Sequence, residues 1–280
     1  MGRIMLDANI FPHITLEELT GQAALLRRVD RKYMVSLNDV PAILTRLAGL
    51  DARILDIDGT CQFRYVSDYY DTNDFSLHNA AATKRRRRYK IRERFYIDSG
   101  LHYIEVKTRG VRGNNVKERH ELNMVGVLAR KAMWSGADVY TPVLSETQAG
   151  QWAGHILEKV GVIPLGAGDS TIEALTPCLR TAYTRATFLL PESSRLTLDV
   201  GLRTIALRDG GISARAPFAI LETKSGGNVG VADRLLWDYG IRPRKISKYG
   251  VGVAIAYGER YNKWVGAVRR MDSNLKEIDA

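Results

Sequence analysis

The chain has 280 residues, 45% hydrophobic and 26% charged, which allows a substantial buried core and excludes a disordered or fibrous chain. Lysine and arginine number 41 against 31 aspartates and glutamates, a net charge of +10 that favours anionic partners such as nucleotides, polyphosphate, nucleic acid or acidic headgroups. Two cysteines without CxxC spacing, Cys61 and Cys178, argue against a disulfide framework or zinc knuckle, and with no secretory h-region or bilayer-length apolar run a soluble cytoplasmic protein without a transmembrane segment is expected.

Thr15-Leu16-Glu17-Glu18 reads as a capping box, followed by Leu16, Leu19, Ala23 and Leu26 at helical spacing. Arg28 to Val35 is expected as a short strand. Asn38 or Asp39 can cap a helix running through Leu50, with Pro41 tolerated in its first turn. Gln62 to Asp71 is rich in aromatic and β-branched residues and reads as a strand. Next comes a meander: strand Arg88–Ile97, turn Asp98-Ser99-Gly100, strand Leu101–Arg109, turn Gly110–Asn115 and strand Val116–Leu122. Met133 to Asp169 is poorer in pattern, with a helix expected over Ser145–Val160 and a glycine-rich connection over Gly161–Ser170. Strands return at Leu179–Leu190, Arg195–Leu207 and Ala219–Lys224. A helix over Val229–Tyr239 should end at Gly240 in a left-handed cap. From Ser247 onward a last helix with a polar tail is expected. The class is α+β with many antiparallel strands, and no fixed-period repeat occurs.

Charge recurs at strand spacing. Lys90, Arg92 and Arg94 leave one face of their strand, as do Tyr103, Glu105, Lys107 and Arg109 of the next and Lys117 and Arg119 of the third. Arg195, Thr197 and Asp199 alternate with Leu196, Leu198 and Val200, and Glu222 and Lys224 alternate with Leu221 and Thr223. Any one such strand is ordinarily a solvated sheet face. Repetition of mostly cationic faces is costly unless an anion or countercharges sit among them. A closed antiparallel β-barrel with a polar interior, its apolar outside covered by helices, would satisfy the pattern. The run Lys84-Arg85-Arg86-Arg87-Arg88 is a basic loop, able to steer anions. There is no GxxxxGK[ST], no GxSxG and no HExxH, and His78, His102, His120 and His155 read as surface or packing residues. Phosphoryl transfer needs no protein nucleophile.

Arg28-Val29-Asp30-Arg31-Lys32-Tyr33 resembles the N-terminal ExExK signature of the triphosphate tunnel metalloenzymes, the CYTH superfamily. Within it the chain is most similar to the VTC domain, the polyphosphate polymerase module of the vacuolar transporter chaperone complex, and its bacterial relatives. Further segments in the family's order are Lys90–Tyr96, Ile104–Thr108, Arg185–Phe188, Arg195–Asp199, Ile220–Lys224 and Lys245–Tyr249. The resemblance implies an antiparallel triphosphate tunnel over residues 28–263, preceded by a helical segment (1–27) and followed by a polar tail (264–280). It implies transfer of the γ-phosphoryl of ATP to inorganic polyphosphate with a divalent cation, Mn2+ or Mg2+. Lys32, Arg92, Arg94, Lys107 and Lys248 are the expected catalytic residues. Lys90, Lys117, Arg119, Arg185, Arg195, Lys224 and Lys245 are expected to hold phosphates. Glu222 is the expected metal carboxylate, with Asp199 and Glu105 as helpers. Arg28 and Asp30 replace the two glutamates of the signature, which tilts the expectation from triphosphate hydrolysis toward polymerisation. A tunnel triphosphatase or polyphosphatase, or a non-catalytic polyphosphate- or nucleic-acid-binding module, are the alternatives; no specific nucleic acid is expected.

Overall fold

A computed structural model describes residues 6–22, 29–109, 115–136, 144–227, 229–259 and 262–272. Its first elements are β1 (His13–Ile14), α1 (Leu16–Gln22), β2 (Val29–Ser36), α2 (Val40–Ala48), β3 (Arg53–Leu55), β4 (Phe63–Asp71), α3 (Ser76–Ala82), β5 (Tyr89–Tyr96), β6 (His102–Arg109) and β7 (Asn115–Leu122). Then follow α4 (Val127–Ser135), α5 (Gln148–Lys159), α6 (Gly168–Glu173), β8 (Thr176–Leu190), β9 (Ser194–Ala206), β10 (Ala214–Arg215), β11 (Phe218–Ser225), α7 (Val231–Asp238), α8 (Lys248–Ala256) and α9 (Val265–Asp272). The architecture is α+β; β2, β11 and β9 pair antiparallel, as do β4, β5, β6 and β7 in succession and β3 with β8, whereas β1 runs parallel to β3. Arg28, Ala23, Leu26, residues 110–114 of the expected turn and residues 273–280 of the tail lie outside the described residues. Both cysteines are buried and unpaired. Among the described residues no helix is long and apolar enough to cross a membrane.

The chain divides into two compact units, and β8 and β9 each contribute residues to both. The first comprises Met1–Phe63, Tyr183–Leu202 and Ala216–Ile246. Here β11 pairs with β2 on one side and β9 on the other, in a register that sets Lys32 opposite Glu222 and Lys224 opposite Arg195. The alternate residues Tyr33, Val35, Leu196, Leu198, Ala219 and Leu221 face the other way and pack on Ile43, Leu44 and Leu47 of α2 and Leu235 and Leu236 of α7. One period-2 pattern therefore builds the core and lines up the charges. Asp233 of α7, fully buried, accepts hydrogen bonds from Tyr33 (2.6 Å), Thr223 (2.6 Å) and Arg31 (3.1 Å), so the helix is tied to β2 and β11 by a satisfied polar network. Gly240 takes the expected left-handed conformation, φ +71°.

The second unit comprises Arg64–Ala182, Arg203–Arg215 and Ser247–Ala280. Its centre is the β4–β5–β6–β7 meander, with Ile91, Ile104 and Val106 packed against Ala153, Ile156 and Leu157 of α5. Helix α6, missed by composition, begins inside the glycine-rich connection at Gly168 and runs on to Glu173. A Cβ on Gly154 or Gly168 would stand 3.1–3.2 Å from the other's backbone, so these glycines serve close helix approach rather than loop freedom. The expected last helix is two, α8 and α9; Gly258, at φ +74°, stops the first. Residues 249–256 of α8 are all buried. A Cβ on Gly250 would lie 2.5–2.7 Å from the Trp264 ring. Gly250→Ala is therefore expected to cost about 1–3 kcal/mol in urea unfolding.

The sheet path is not closed into a barrel, contrary to the expectation. It ends at β2 and β7, and no ladder joins these two strands among the described residues. Each is a charged edge, with Asp30 exposed on β2 and Lys117, Glu118, Arg119, His120 and Glu121 exposed on β7. Such charge is a common device against lateral pairing.

Candidate functional site

In the first unit, one sheet face carries Asp30 and Lys32 of β2, Glu222 and Lys224 of β11, Arg195, Thr197 and Asp199 of β9, and Arg185 of β8. Glu222 lies between two ammonium groups, with Oε2 at 2.7 Å from Lys32 Nζ and Oε1 at 2.6 Å from Lys224 Nζ. Burial alone would raise the Glu222 carboxyl, but Lys32 and Lys224 outweigh it and hold it well below the ordinary glutamate value. Lys224 also reaches Asp30 at 3.4 Å. Arg185 grips Asp199 through both oxygens, at 2.6 and 2.8 Å. Arg195 donates to the Leu19 carbonyl at 3.4 Å. Thr197, directly across from Glu222, has a buried hydroxyl with no hydrogen-bond partner among the described residues. Lys245 is exposed on the segment after α7.

In the second unit the register stacks Lys90, Lys107 and Lys117 in one line across β5, β6 and β7. The next line is Arg92, Glu105 and Arg119, and the third is Arg94, Tyr103 and Glu121. Glu105 is the hub. Its Oε2 accepts from Arg92 Nε (2.7 Å) and Nη2 (2.5 Å), with Arg94 Nε at 4.0 Å, while Oε1 pairs with Lys117 Nζ at 2.5 Å. Burial would raise this carboxyl too, yet Arg92, Arg94 and Lys117 hold it well below the ordinary value. Aromatic residues of the neighbouring strands support the guanidiniums: Arg92 donates to Tyr69 Oη at 2.9 Å, Arg94 lies 5.5 Å over Tyr65, and Arg119 lies 5.0 Å over Tyr103.

Lys90 is the most perturbed cation. Its ammonium donates to Ser247 Oγ at 2.9 Å and lies 5.2 Å over the Tyr249 ring. Burial, then repulsion from Lys107, Lys263, Arg92 and Arg88, lowers its pKa to about 7. Ser247 is also the N-cap of α8, its oxygen accepting from the Gly250 amide at 3.1 Å, and Lys248 is the first helical residue. Lys84 to Arg87 form an exposed loop leading to β5.

The structure thus groups Lys32, Arg185, Arg195, Lys224, Asp199 and Glu222 on one face of the first unit. It groups Lys90, Arg92, Arg94, Glu105, Lys107, Lys117 and Arg119 on one face of the second. Glu105 consequently belongs to a different unit from Glu222 and Asp199. Supporting residues that the charge pattern did not single out are Tyr65, Ser67 and Tyr69 of β4; they alternate on one face, which was a usable signal. Tyr249 and the N-cap Ser247 carried none.

A family model described as the VTC domain matches residues 27–257. Similar solved structures include a candidate adenylyl cyclase from Hippeastrum, for which a dominant triphosphatase activity is described. It is 15% identical over 84% of this chain and 98% of that chain, with a TM-score of 0.47. A candidate adenylate cyclase from Vibrio parahaemolyticus is 13% identical over 86% and 98%, TM-score 0.38. A protein from Pyrococcus horikoshii OT3 is 10% identical over 78% and 91%, TM-score 0.40. No match is found among curated protein sequences.

Proposed function

The chain belongs to the VTC domain family, and from that premise we propose that it transfers the γ-phosphoryl group of ATP to a growing inorganic polyphosphate chain. The observation that carries this reading is the line Lys90–Lys107–Lys117. Like charges set directly across neighbouring strands repel, and a phosphate chain lying over them would turn that repulsion into binding. Arg92 and Arg94 would meet phosphate oxygens with forks already oriented by Glu105, Tyr69 and Ser67, so little ordering is left for the bound state. Lys107, Lys117 and Arg119 extend the same face. Lys248 adds a cation at the start of α8, where the positive end of the helix dipole also favours an anion.

In the first unit, Lys32, Arg185, Arg195 and Lys224 offer phosphate contacts, with the exposed Lys245 beyond them. The residues there fit a divalent cation of the magnesium or manganese kind. Glu222 is an ionised hard-oxygen donor, and the unpartnered Thr197 hydroxyl faces it. Such ions take one or two carboxylates and complete their shell with substrate phosphates and water. When bound, the ion supplies neutralisation of charge building on the phosphate oxygens. Asp199 holds Arg185 in place, as Glu105 holds Arg92. In the reaction, a terminal oxygen of the polyphosphate attacks the γ-phosphorus, the bond to the β-bridging oxygen breaks, and ADP leaves. The transition state is loose, so positioning and charge are the catalysis required of the protein.

The protein is incubated with ATP and Mn2+ and the products are separated. Polymer of many phosphate units with matching ADP is expected. Orthophosphate without polymer, or no ATP consumption, would overturn the reading.

Lys90 supplies a second prediction. A free lysine titrates near 10.4, so the folded protein binds fewer protons than the unfolded chain between about 7 and that value. Stability should rise with pH across this window, and the full penalty should apply below it. A bound polyanion should restore the charge on Lys90, so binding at pH 7.5 should take up protons. Calorimetry in buffers of different ionisation enthalpy measures this uptake. Lys90→Met should abolish most of it.

A further inference from the structure

Apart from the charged sheet faces, one group of chemically reactive side chains in the first unit has no part in the proposed reaction. His13 of β1, Asp56 just after β3 and Cys61 at the end of the following turn place one ligand atom each within 4.8 Å of one another. We propose that these three residues bind a single divalent transition-metal ion of the zinc class.

The local sequence builds the group rigidly. β1 runs parallel to β3, locked by Ile54 N–H to the Pro12 carbonyl (2.9 Å) and Asp56 N–H to the Ile14 carbonyl (3.0 Å). The chain then turns tightly through Asp58 and Gly59, both left-handed at φ 51° and 78°, and closes with the Ile57–Thr60 bridge. Asp56 is fixed in that turn because its Oδ1 accepts the Gly59 amide at 2.7 Å. Its Oδ2 meets His13 Nδ1 at 2.6 Å. Cys61 is buried at the base, its thiol pushed up by burial and then by the Asp56 charge.

The chemistry matches a softer cation than the one proposed beside Glu222. Thiolate, imidazole and carboxylate together suit zinc, whereas magnesium and manganese prefer oxygen alone. Charge balances as well: a dication replacing the thiol proton meets one thiolate and one carboxylate, the thiol proton goes to solvent, and the proton shared by His13 Nδ1 and Asp56 moves to Nε2, leaving the Nδ1 lone pair for the metal. Tetrahedral ligation at about 2.1 Å would set the His13 and Asp56 ligand atoms about 3.4 Å apart, so they must open by less than an ångström. His13 is half exposed and can make that movement, which also leaves the fourth position to water. An ordinary His–Asp pair above an inert buried cysteine is the competing account.

The test uses the metal-stripped full chain titrated with Co2+, whose thiolate complexes show a ligand-to-metal charge-transfer band in the near ultraviolet. One equivalent of cobalt producing that band, displaced by Zn2+, is expected. Cys61→Ser should lose the band. Should that variant fold poorly, His13→Ala at its half-exposed position should weaken cobalt binding on the order of tenfold or more. Absence of the band at stoichiometric cobalt, or a band and affinity unchanged in the folded variants, would overturn the proposal. Neither outcome touches the phosphoryl-transfer reading, because a metal held by Glu222 and phosphates gives no thiolate band.

Discussion

Glu222→Gln is expected to lower ATP-dependent phosphoryl transfer by on the order of a hundredfold or more, with the protein still folded. The change keeps the shape of the side chain and removes one negative charge. In the wild type that charge is shared by Lys32 at 2.7 Å and Lys224 at 2.6 Å, and these lysines keep the carboxylate ionised against the effect of burial. Glutamine leaves two ammonium groups facing an uncharged amide and offers the metal a weaker donor. The face becomes more cationic, so metal-free polyphosphate binding should hold or tighten while turnover falls. That split separates a metal-holding carboxylate from a group that only balances charge. There is a pH consequence too. Glu222 and Glu105 both titrate below their unfolded values, so their stabilisation is present above about 4.5 and is lost as pH falls through the lower folded values. Acid unfolding followed by circular dichroism should begin at higher pH in wild type than in a variant lacking both carboxylates, once each curve is normalised to its own neutral stability. Unchanged turnover in Glu222→Gln would remove Glu222 from the mechanism.

Arg180→Met is expected to produce the largest loss of stability, about 3–5 kcal/mol by urea denaturation. Arg180 on β8 and Asp68 on β4 form a doubly hydrogen-bonded pair at 2.7 and 2.8 Å, with side chains 1% and 0% exposed. Removing the guanidinium takes both of these bonds and the countercharge from a carboxylate buried in the interior of the second unit. Adding Asp68→Leu should recover most of the loss, because the penalty comes from keeping a buried charge without its guanidinium rather than from a missing attraction. Equal instability of the single and double variants would contradict this account. The pair also braces β4 from its core face, while Tyr69 on the opposite face meets Arg92.

Arg180 and Asp68 also mark where sequence reading stops. They lie 112 positions apart, and neither belongs to an alternating row, so nothing local pairs them. Asp233 and Tyr33, 200 positions apart, are hidden for the same reason. The charged rows were legible because a strand's two-residue period is fixed by backbone geometry, whatever the partner strand. Each of Lys90, Arg92 and Arg94 could be placed on one face before any register was known. Register itself was not legible, so the line Lys90–Lys107–Lys117 and the clamp of two lysines on Glu222 emerge only from the structure. Closure of a barrel is a still longer-range property, and the open path ending at β2 and β7 shows that alternation does not dictate it. Glycine misled in one place and helped in another. The connection carrying Gly166 and Gly168 read as a loop, although Gly168 lets α6 approach Gly154, whereas Gly240 marked a helix end correctly.

The most direct test of the central claim is a phosphorus NMR time course with wild-type protein, ATP and Mg2+. The account predicts a growing signal from internal phosphates of a long chain, rising in step with ADP and absent in Glu222→Gln. A rising orthophosphate signal with no internal-phosphate signal would contradict it and identify a hydrolase instead.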